Sequence, residues 1–467
     1  MSTFLWYDYE TFGTNPRHDR IAQFGAIRTD DDLNPIGEPI SLFCKPPADY
    51  VPDPGSCLIT GLDPNQVAKQ GLIEPQFAAA VHEAMSEPDT CVLGYNSLRF
   101  DDEFSRFLFW RNFFDPYARE YSNGNSRWDL IDVTRLCYAV RPAGIEWPLH
   151  DDGKPSFKLE DLCSANGIEH GEAHEALADV YATIALAALI KKAQPGLFDY
   201  CLNHRSKAKV QDMLNWQTMK PVAHVSSRYP AERGCLAVVA PLALHPQQNN
   251  AVIVYDLMVD PSPLATCDAE ELQRRVFSRS DELGDTPRVP LKLVRSNKAP
   301  VLVPVGVVKQ ADMQRIGLDL ELCQKHLRML QDMPSLASIA RSVFSGPSAF
   351  EPETDPDGML YDGFVKPSDK QRIDAVRRLT PEQLADNAPR FDDERLPHLL
   401  WRYRARNYPD TLSDEEVQLW QQHCEKRLEA EFPRSRTAAL ESVEGLRTKY
   451  PERTALLDAV EEYLMGL

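Results

Sequence analysis

The sequence predicts an α/β chain: a mixed sheet flanked by helices, then a small barrel-like β domain, then an α-helical C-terminal domain. Three observations carry this. Strand and helix signals alternate over the first 195 residues, short β-branched runs fill 221–306, and amphipathic helical segments follow from about Phe364. A chain of 467 residues is too long for one core. Domains are expected at 1–195, 196–348 and 349–467, the second boundary falling in the acidic, Pro/Gly-rich SGPSAFEPETDPDGMLYDG (345–363).

The elements follow in order. FLWYDYETFG (4–13) reads as a buried strand punctuated by Gly13. IAQFGAIRT (21–29) and EPISLFCKP (38–46), joined through the turn-rich DDDLNPIG, complete an antiparallel meander. EPQFAAAVHEAM (74–85) has helical periodicity and TCVLGYN (90–96) is a short apolar strand. Helical patterns cover 101–114 and 128–140, and HEALADVYATIALAALIKKA (174–193) is closed by Pro195 and Gly196. In the β domain, GCLAVVAPLAL, NAVIVYDLMV, RVPLKLV and APVLVPVGVV supply strands, with a helix near 268–278.

Composition narrows the function classes. Hydrophobic content of 43% with 26% charged residues is that of a soluble globular protein. No apolar run reaches membrane-span length and the N-terminus lacks a signal-peptide pattern. The ten cysteines are scattered singly, which reads as reduced thiols in a cytoplasmic protein and excludes a CxxC zinc knuckle. No GxxxxGK cradle for a nucleoside triphosphate is present. A formal charge of −19 argues against a polyanionic partner, although a basic channel can exist inside an acidic shell.

The chemistry lies in the acids. Strand alternation points Asp8 and Glu10 to one face, where two carboxylates in apolar company repel each other and lose hydration. Asp101, in GYNSLRFDDEF (94–104), follows a strand and opens a helix, and Asp179 lies in the first turns of the Ala-rich helix. Four converging carboxylates make an all-oxygen site suited to hard Mg²⁺, with Mn²⁺ able to substitute. A pair of such ions neutralises the cluster and can clamp both attacking and leaving oxygens of a phosphodiester. His174 is five residues before Asp179, a rotation of roughly 140° along a helix, so the two cannot share a helix face. His174 is expected on the turn before the helix, where it can take a proton from water. Asp102 is expected to be a solvated helix start, and Glu175 a first-turn acid.

Asp8-x-Glu10, Asn96-x-x-x-Phe100-Asp101 and His174-x-x-x-x-Asp179 resemble the three exonuclease motifs of the DEDDh superfamily. STFLWYDYETFGTNP, DRIAQFGAIRTD, LITGLDP, GYNSLRFDDE, NSRWDLIDV, GIEWP and the MKP at 219–221 extend that likeness to the bacterial exodeoxyribonuclease I family over nearly the whole chain. The resemblance implies an RNase H-like exonuclease domain with a mixed sheet, an SH3-like β domain and a helical C-terminal domain. It implies a metal-dependent 3′→5′ exonuclease that degrades single-stranded DNA to 5′-mononucleotides in DNA repair and recombination. Asp8, Glu10, Asp101 and Asp179 would hold the metals and His174 would activate water. It also implies a monomer that docks the acidic, apolar-ended C-terminal tail of the single-stranded-DNA-binding protein. Such a tail needs a basic rim beside an apolar pocket, and Arg141, Tyr200 and Lys220 are the candidates.

Residues 104–128 interleave nine aromatics with Arg106, Arg111, Arg119 and Arg127. Stacking aromatics beside phosphate-tracking arginines hold unpaired strands without sequence preference. Phe100, Phe104 and Phe107 fall on one helical stripe and read as core, whereas Tyr117 and Tyr121 lie beyond the helix-breaking Pro116 and read as stacking platforms. From the resemblance, Glu10, Thr11 and Phe12 touch the terminal nucleotide and Leu62 wedges under its base. Lys158 stands where the family leads one to expect an arginine, which keeps a phosphate-binding charge and loses the bidentate fork. Arg402, Arg404 and Arg406 are expected to add phosphate contacts that keep the enzyme processive. Two alternatives stay open. An exoribonuclease would share these motifs, because they do not read the sugar. A single-strand-binding scaffold with a degenerate nuclease domain would have lost at least one of the five residues.

Overall fold

The computed structural model describes residues 2–171, 175–346, 353–431 and 433–467. The chain divides into two compact units, 1–126 with 170–182 and 351–467, and 127–169 with 183–350.

In the first unit, β1 (Thr3–Thr11), β2 (Ile21–Thr29), β3 (Ile40–Phe43) and β4 (Thr90–Gly94) lie in the order β3-β2-β1-β4. β1 runs antiparallel to β2 and parallel to β4, and β2 runs antiparallel to β3, so the expected meander forms. Register sets Asp8 opposite Gly25 and Glu10 opposite Gln23, with a bulge between Glu10 and Thr11 that re-aims the strand end. Gly25 has a packing reason. A Cβ there would stand 2.6 Å from the Ala176 carbonyl carbon, so only glycine lets the start of the helix Ala176–Ala193 sit directly on β2. That close approach delivers Asp179 to the face that carries Asp8 and Glu10.

The other face of β1 is core. Tyr7 and Tyr9 pack with Phe24, Phe77, Val81, Phe104 and Leu108. Two further apolar clusters join the C-terminal helices to the N-terminal residues. Phe12, Tyr50 and Val67 pack with Val443, Leu457 and Leu464, and Phe107, Trp110 and Phe113 pack with Leu396, Leu399 and Tyr403.

A buried ionic network runs beside these clusters, and it overturns the expectation for the C-terminal arginines. Arg406 pairs with Asp49 at 2.7 Å and with Asp357 at 2.6 Å. Arg20 reaches Asp357 at 2.8 Å, Arg402 pairs with Asp355, and Arg404 pairs with Glu416 at 2.9 Å. Burial works against ionisation of Asp49, yet Arg406, His423 and Arg427 hold its carboxyl well below the usual carboxylate range. These arginines are spent on docking helices rather than on phosphate. Their partners lie up to 357 residues away in sequence, which no local pattern reveals.

The second unit holds a five-stranded antiparallel sheet in the order Leu302–Pro304, Val222–Val225, Leu236–Leu244, Ala251–Asp256, Leu291–Arg295. The inserted helix spans Ala269–Phe277, as its pattern predicts. Helices Gln310–Ile316, Leu320–Gln331 and Leu336–Val343 follow, which the strand-rich reading of this region omits. Two other elements differ. The helix expected over 128–140 starts at Leu130, because Asp129 caps the Ile131 N–H. Pro195 ends one helix and also opens the next, Pro195–Asn203, at the position where its missing N–H is harmless.

Candidate active site

Carboxylate oxygens of Asp8, Glu10 and Asp179 all lie within 4.8 Å of one another. Glu10 is buried, and Asp8 and Asp179 are half-buried. β1 supplies two of the acids through strand alternation, and the helix packed on Gly25 supplies the third. Asp101 opens the helix Asp101–Arg111 at 3% exposure, and its Oδ1 accepts the Tyr9 N–H at 3.3 Å, which ties it to β1 between Asp8 and Glu10. It is the closest charged neighbour in effect on Asp8. Burial, then Asp101, Glu10 and Asp179, push the Asp8 carboxyl well above its usual range. Burial, then Asp179, Asp101 and Glu175, push Glu10 up to about 9. The cluster therefore resists full ionisation by itself, and a divalent cation is the complement its geometry lacks. An all-oxygen donor set this crowded fits a hard divalent ion.

Glu175 does what a residue before a helix should do: its Oε2 accepts the Ala178 N–H at 3.2 Å, and Gln23 donates to its Oε1 at 3.4 Å. His174 lies outside the described residues. A histidine that the motif does not single out, His170, places Nε2 2.5 Å from Asp179 Oδ1. Nothing in local periodicity marks it, since it precedes Asp179 by nine residues on a loop.

Asp102 is not solvated. It is 1% exposed and accepts hydrogen bonds from the Tyr7 hydroxyl at 3.0 Å and from Arg119 at 2.7 Å. The four arginines expected to track phosphate are buried too. Arg111 bonds Glu74, Arg119 bonds Asp102, Arg127 bonds the Asn297 carbonyl, and Arg106 bonds both Glu103 and Glu120. Charged groups inside a protein need partners, and here neighbouring acids and a backbone carbonyl supply them.

The tyrosines differ. Tyr121 is 68% exposed and Tyr117 half-buried, and both line a 440 Å³ cleft with Trp110, Tyr361, Phe364 and Lys370. Phe364 is 99% exposed. Thr11 is buried, with its hydroxyl on the Gly13 carbonyl. Phe12, at 1% exposure, belongs to the core rather than to an open subsite. Leu62 is half-buried and lines a 300 Å³ cleft with Phe43 and Leu456.

In the second unit Lys158 is exposed at the start of the helix Leu159–Ala165. Lys220 is exposed on the rim of an 840 Å³ cavity walled by Met213, Val222, Val238 and Leu257. Tyr200 donates its hydroxyl to Met213 Sδ at 3.6 Å, and Arg141 donates to the Val307 carbonyl at 3.1 Å.

Paired acids on an interior strand, completed by an acid from a late helix, define the metal-dependent exonuclease class. Residues 5–187 match the family described as "Exonuclease", 205–346 "Exonuclease I SH3-like domain" and 354–467 "Exonuclease I C-terminal domain". The exodeoxyribonuclease I of Escherichia coli (strain K12) is 46% identical over 463 residues, covering 99% of this chain and 98% of that one. The chain belongs to the exodeoxyribonuclease I family. The E. coli exonuclease I complex with a dA16 oligonucleotide superposes with a TM-score of 0.97 at 45% identity, covering 100% of both chains. A zinc-bound E. coli ExoI–ssDNA complex superposes at 0.96 with 45% identity, covering 100% and 99%. A structure of SSB/Exonuclease I with the inhibitor CFAM superposes at 0.92 with 44% identity, covering 100% and 99%.

Proposed function

We propose that this enzyme hydrolyses single-stranded DNA from the 3′ end, processively, to 5′-mononucleotides, with Mg²⁺ as its metal, in the cytoplasm. The observation that carries the reading is the meeting of Asp8, Glu10 and Asp179 within 4.8 Å, with Asp101 against the same strand. Mg²⁺, when bound, supplies charge neutralisation of these carboxylates and Lewis-acid polarisation of a phosphodiester oxygen. Asp8, Glu10, Asp101 and Asp179 orient that charge. His174, from the family motif, takes the proton of the attacking water. Unpaired bases stack on Tyr117, Tyr121 and Phe364 in the 440 Å³ cleft, a mode of binding that is indifferent to sequence. Single-stranded DNA rather than RNA follows from the family's substrate, seen in the dA16 complex of the E. coli relative. The domains in this reading are 1–195, 196–348 and 349–467, supported by family matches that fall inside each.

The 840 Å³ apolar cavity, with Lys220 on its rim and Tyr200 and Arg141 bonded to Met213 and Val307, suits an acidic peptide ending in apolar residues. It is the docking site we assign to the tail of the single-stranded-DNA-binding protein.

The site is tested by single-turnover digestion of labelled oligonucleotide with Asp179→Ala and His174→Ala proteins. Asp179→Ala should abolish turnover. His174→Ala should slow it by roughly 10²–10⁴-fold while leaving DNA binding intact, the span of a lost general base. Unchanged rates at saturating Mg²⁺ would remove either residue from the assignment.

A further inference from the structure

The helix Asp101–Arg111 opens with two successive acids that part company. Asp101 turns to the β1 backbone at Tyr9, on the side of the metal-ligating carboxylates. Asp102 turns inward to Tyr7 and Arg119. Tyr7 and Tyr9 flank Asp8 in the strand, so one short strand segment is held at both positions next to a proposed ligand.

Arg119 lies in sequence between Tyr117 and Tyr121 of the aromatic cleft, in the turn Ala118–Glu120. It is 1% exposed, and its Nη2 bonds Asp102 at 2.7 Å. Its Nε and Nη1 have no hydrogen-bond partner among the described residues, so Asp102 is the acid that holds it. The neighbouring Glu120 bonds Arg106 at 2.8 Å, and Arg106 bonds Glu103 on the same helix and lies 5.3 Å from the centre of the Tyr117 ring. Two ionic cross-links thus bind the turn to the first turns of the helix that carries Asp101. A guanidinium enclosed beside a group of acids also offers them permanent positive charge, and its field opposes that of Asp101 and Asp102 at Tyr9.

We propose that Arg119 is a positioning residue: through Asp102 and Tyr7 it fixes Asp101 at the metal site and joins that site mechanically to the aromatic turn that receives DNA. It touches neither metal nor nucleotide. The inference rests on the metal assignment made above. Partners of ligand-bearing elements set metal affinity about as strongly as 10- to 100-fold.

The test measures Mn²⁺ binding to the full chain by electron paramagnetic resonance, without DNA, beside the Mg²⁺ concentration that gives half-maximal digestion. Arg119→Met and Asp102→Asn should each weaken Mn²⁺ binding by about 10-fold or more and raise the Mg²⁺ requirement to match. Arg119→Lys should restore part of both. Arg111→Met removes an equally buried arginine, paired with Glu74 at 2.8 Å, and should lower the melting temperature while leaving Mn²⁺ affinity unchanged. Asp102→Asn keeps the shape of the site and decides the matter if Arg119→Met does not fold. Wild-type Mn²⁺ affinity in Asp102→Asn, or an equal loss in Arg111→Met, overturns the proposal. Asp179→Ala separates the two levels: if it still binds Mn²⁺ as the wild type does, the metal assignment itself fails.

Discussion

Replacing Glu10 by glutamine should stabilise the metal-free protein and at the same time weaken its response to metal. Burial, followed by Asp179, Asp101 and Glu175, holds the Glu10 carboxyl at about 9 instead of its ordinary 4.5. A carboxyl raised in the folded state binds its proton more tightly there than in the unfolded chain. Its contribution to stability is whole below pH 4.5 and is lost as pH climbs through about 9. At pH 7 the folded protein keeps a proton that the unfolded chain releases, a penalty of about 3 kcal/mol at about 1.4 kcal/mol per tenfold change in proton affinity. Glutamine is neutral throughout, so Glu10→Gln removes the penalty. In chelator at pH 7 its melting temperature should exceed that of the wild type by several degrees. The gap should shrink toward pH 5. Mg²⁺ at about 1,000 times Kd should reverse the order, because such binding stabilises the wild type by about 4.1 kcal/mol, more than the penalty, and the variant has lost a ligand. Differential scanning fluorimetry across pH, with chelator or Mg²⁺, reads all of this. A variant less stable than the wild type in chelator, or one with a full Mg²⁺ shift, would refute the crowded-carboxylate reasoning.

Three further outcomes follow. Arg406→Met removes the shared partner of Asp49 and Asp357, which keep Arg427 and Arg20 respectively, and should destabilise by up to about 3–5 kcal/mol in urea unfolding, the cost of breaking a buried pair. The salt dependence of DNA binding should stay as it was, and a shallower slope would return Arg406 to the phosphate contacts. Tyr121→Ala with Phe364→Ala should weaken single-strand binding by about 1–3 kcal/mol per lost stack, with little change in the rate at saturating DNA; unchanged affinity would make the exposed rings bystanders. Lys220→Glu should abolish saturable binding of an acidic tail peptide in low-salt titration, and undiminished binding would move the docking site elsewhere.

The acids assigned to the site were legible because strand alternation and helix position are local properties. Asp8 and Glu10 share a face by the period of two, and the glycine opposite Asp8 is intelligible once the helix that rests on it is known. Asp179 followed from motif spacing. What sequence patterns did not disclose is which charges are neutralised inside. Asp102 reads as solvated from its neighbours, yet Arg119, 17 residues on, takes it into the core. Arg402, Arg404 and Arg406 look like a basic helix face until Asp49, Asp355, Asp357 and Glu416 are brought against them. Aromatic and arginine interleaving over 104–128 had two physical outcomes, core and cleft. Trp110, Phe113 and Phe114 pack in the core and edge the cleft, while Tyr121, past Pro116, is exposed there in company with Phe364.

In the function proposed above, the acidic cluster removes nucleotides one at a time from a 3′ end of single-stranded DNA. Single-stranded oligonucleotides carrying a label at the 3′ or the 5′ terminus, incubated with Mg²⁺ and resolved by length, test it most directly. The 3′ label should appear at once as a 5′-mononucleotide, the 5′-labelled strand should shorten from its far end, and chelator should stop both. Immediate release of the 5′ label, internal fragments, or equal digestion of an RNA strand of the same sequence would contradict it.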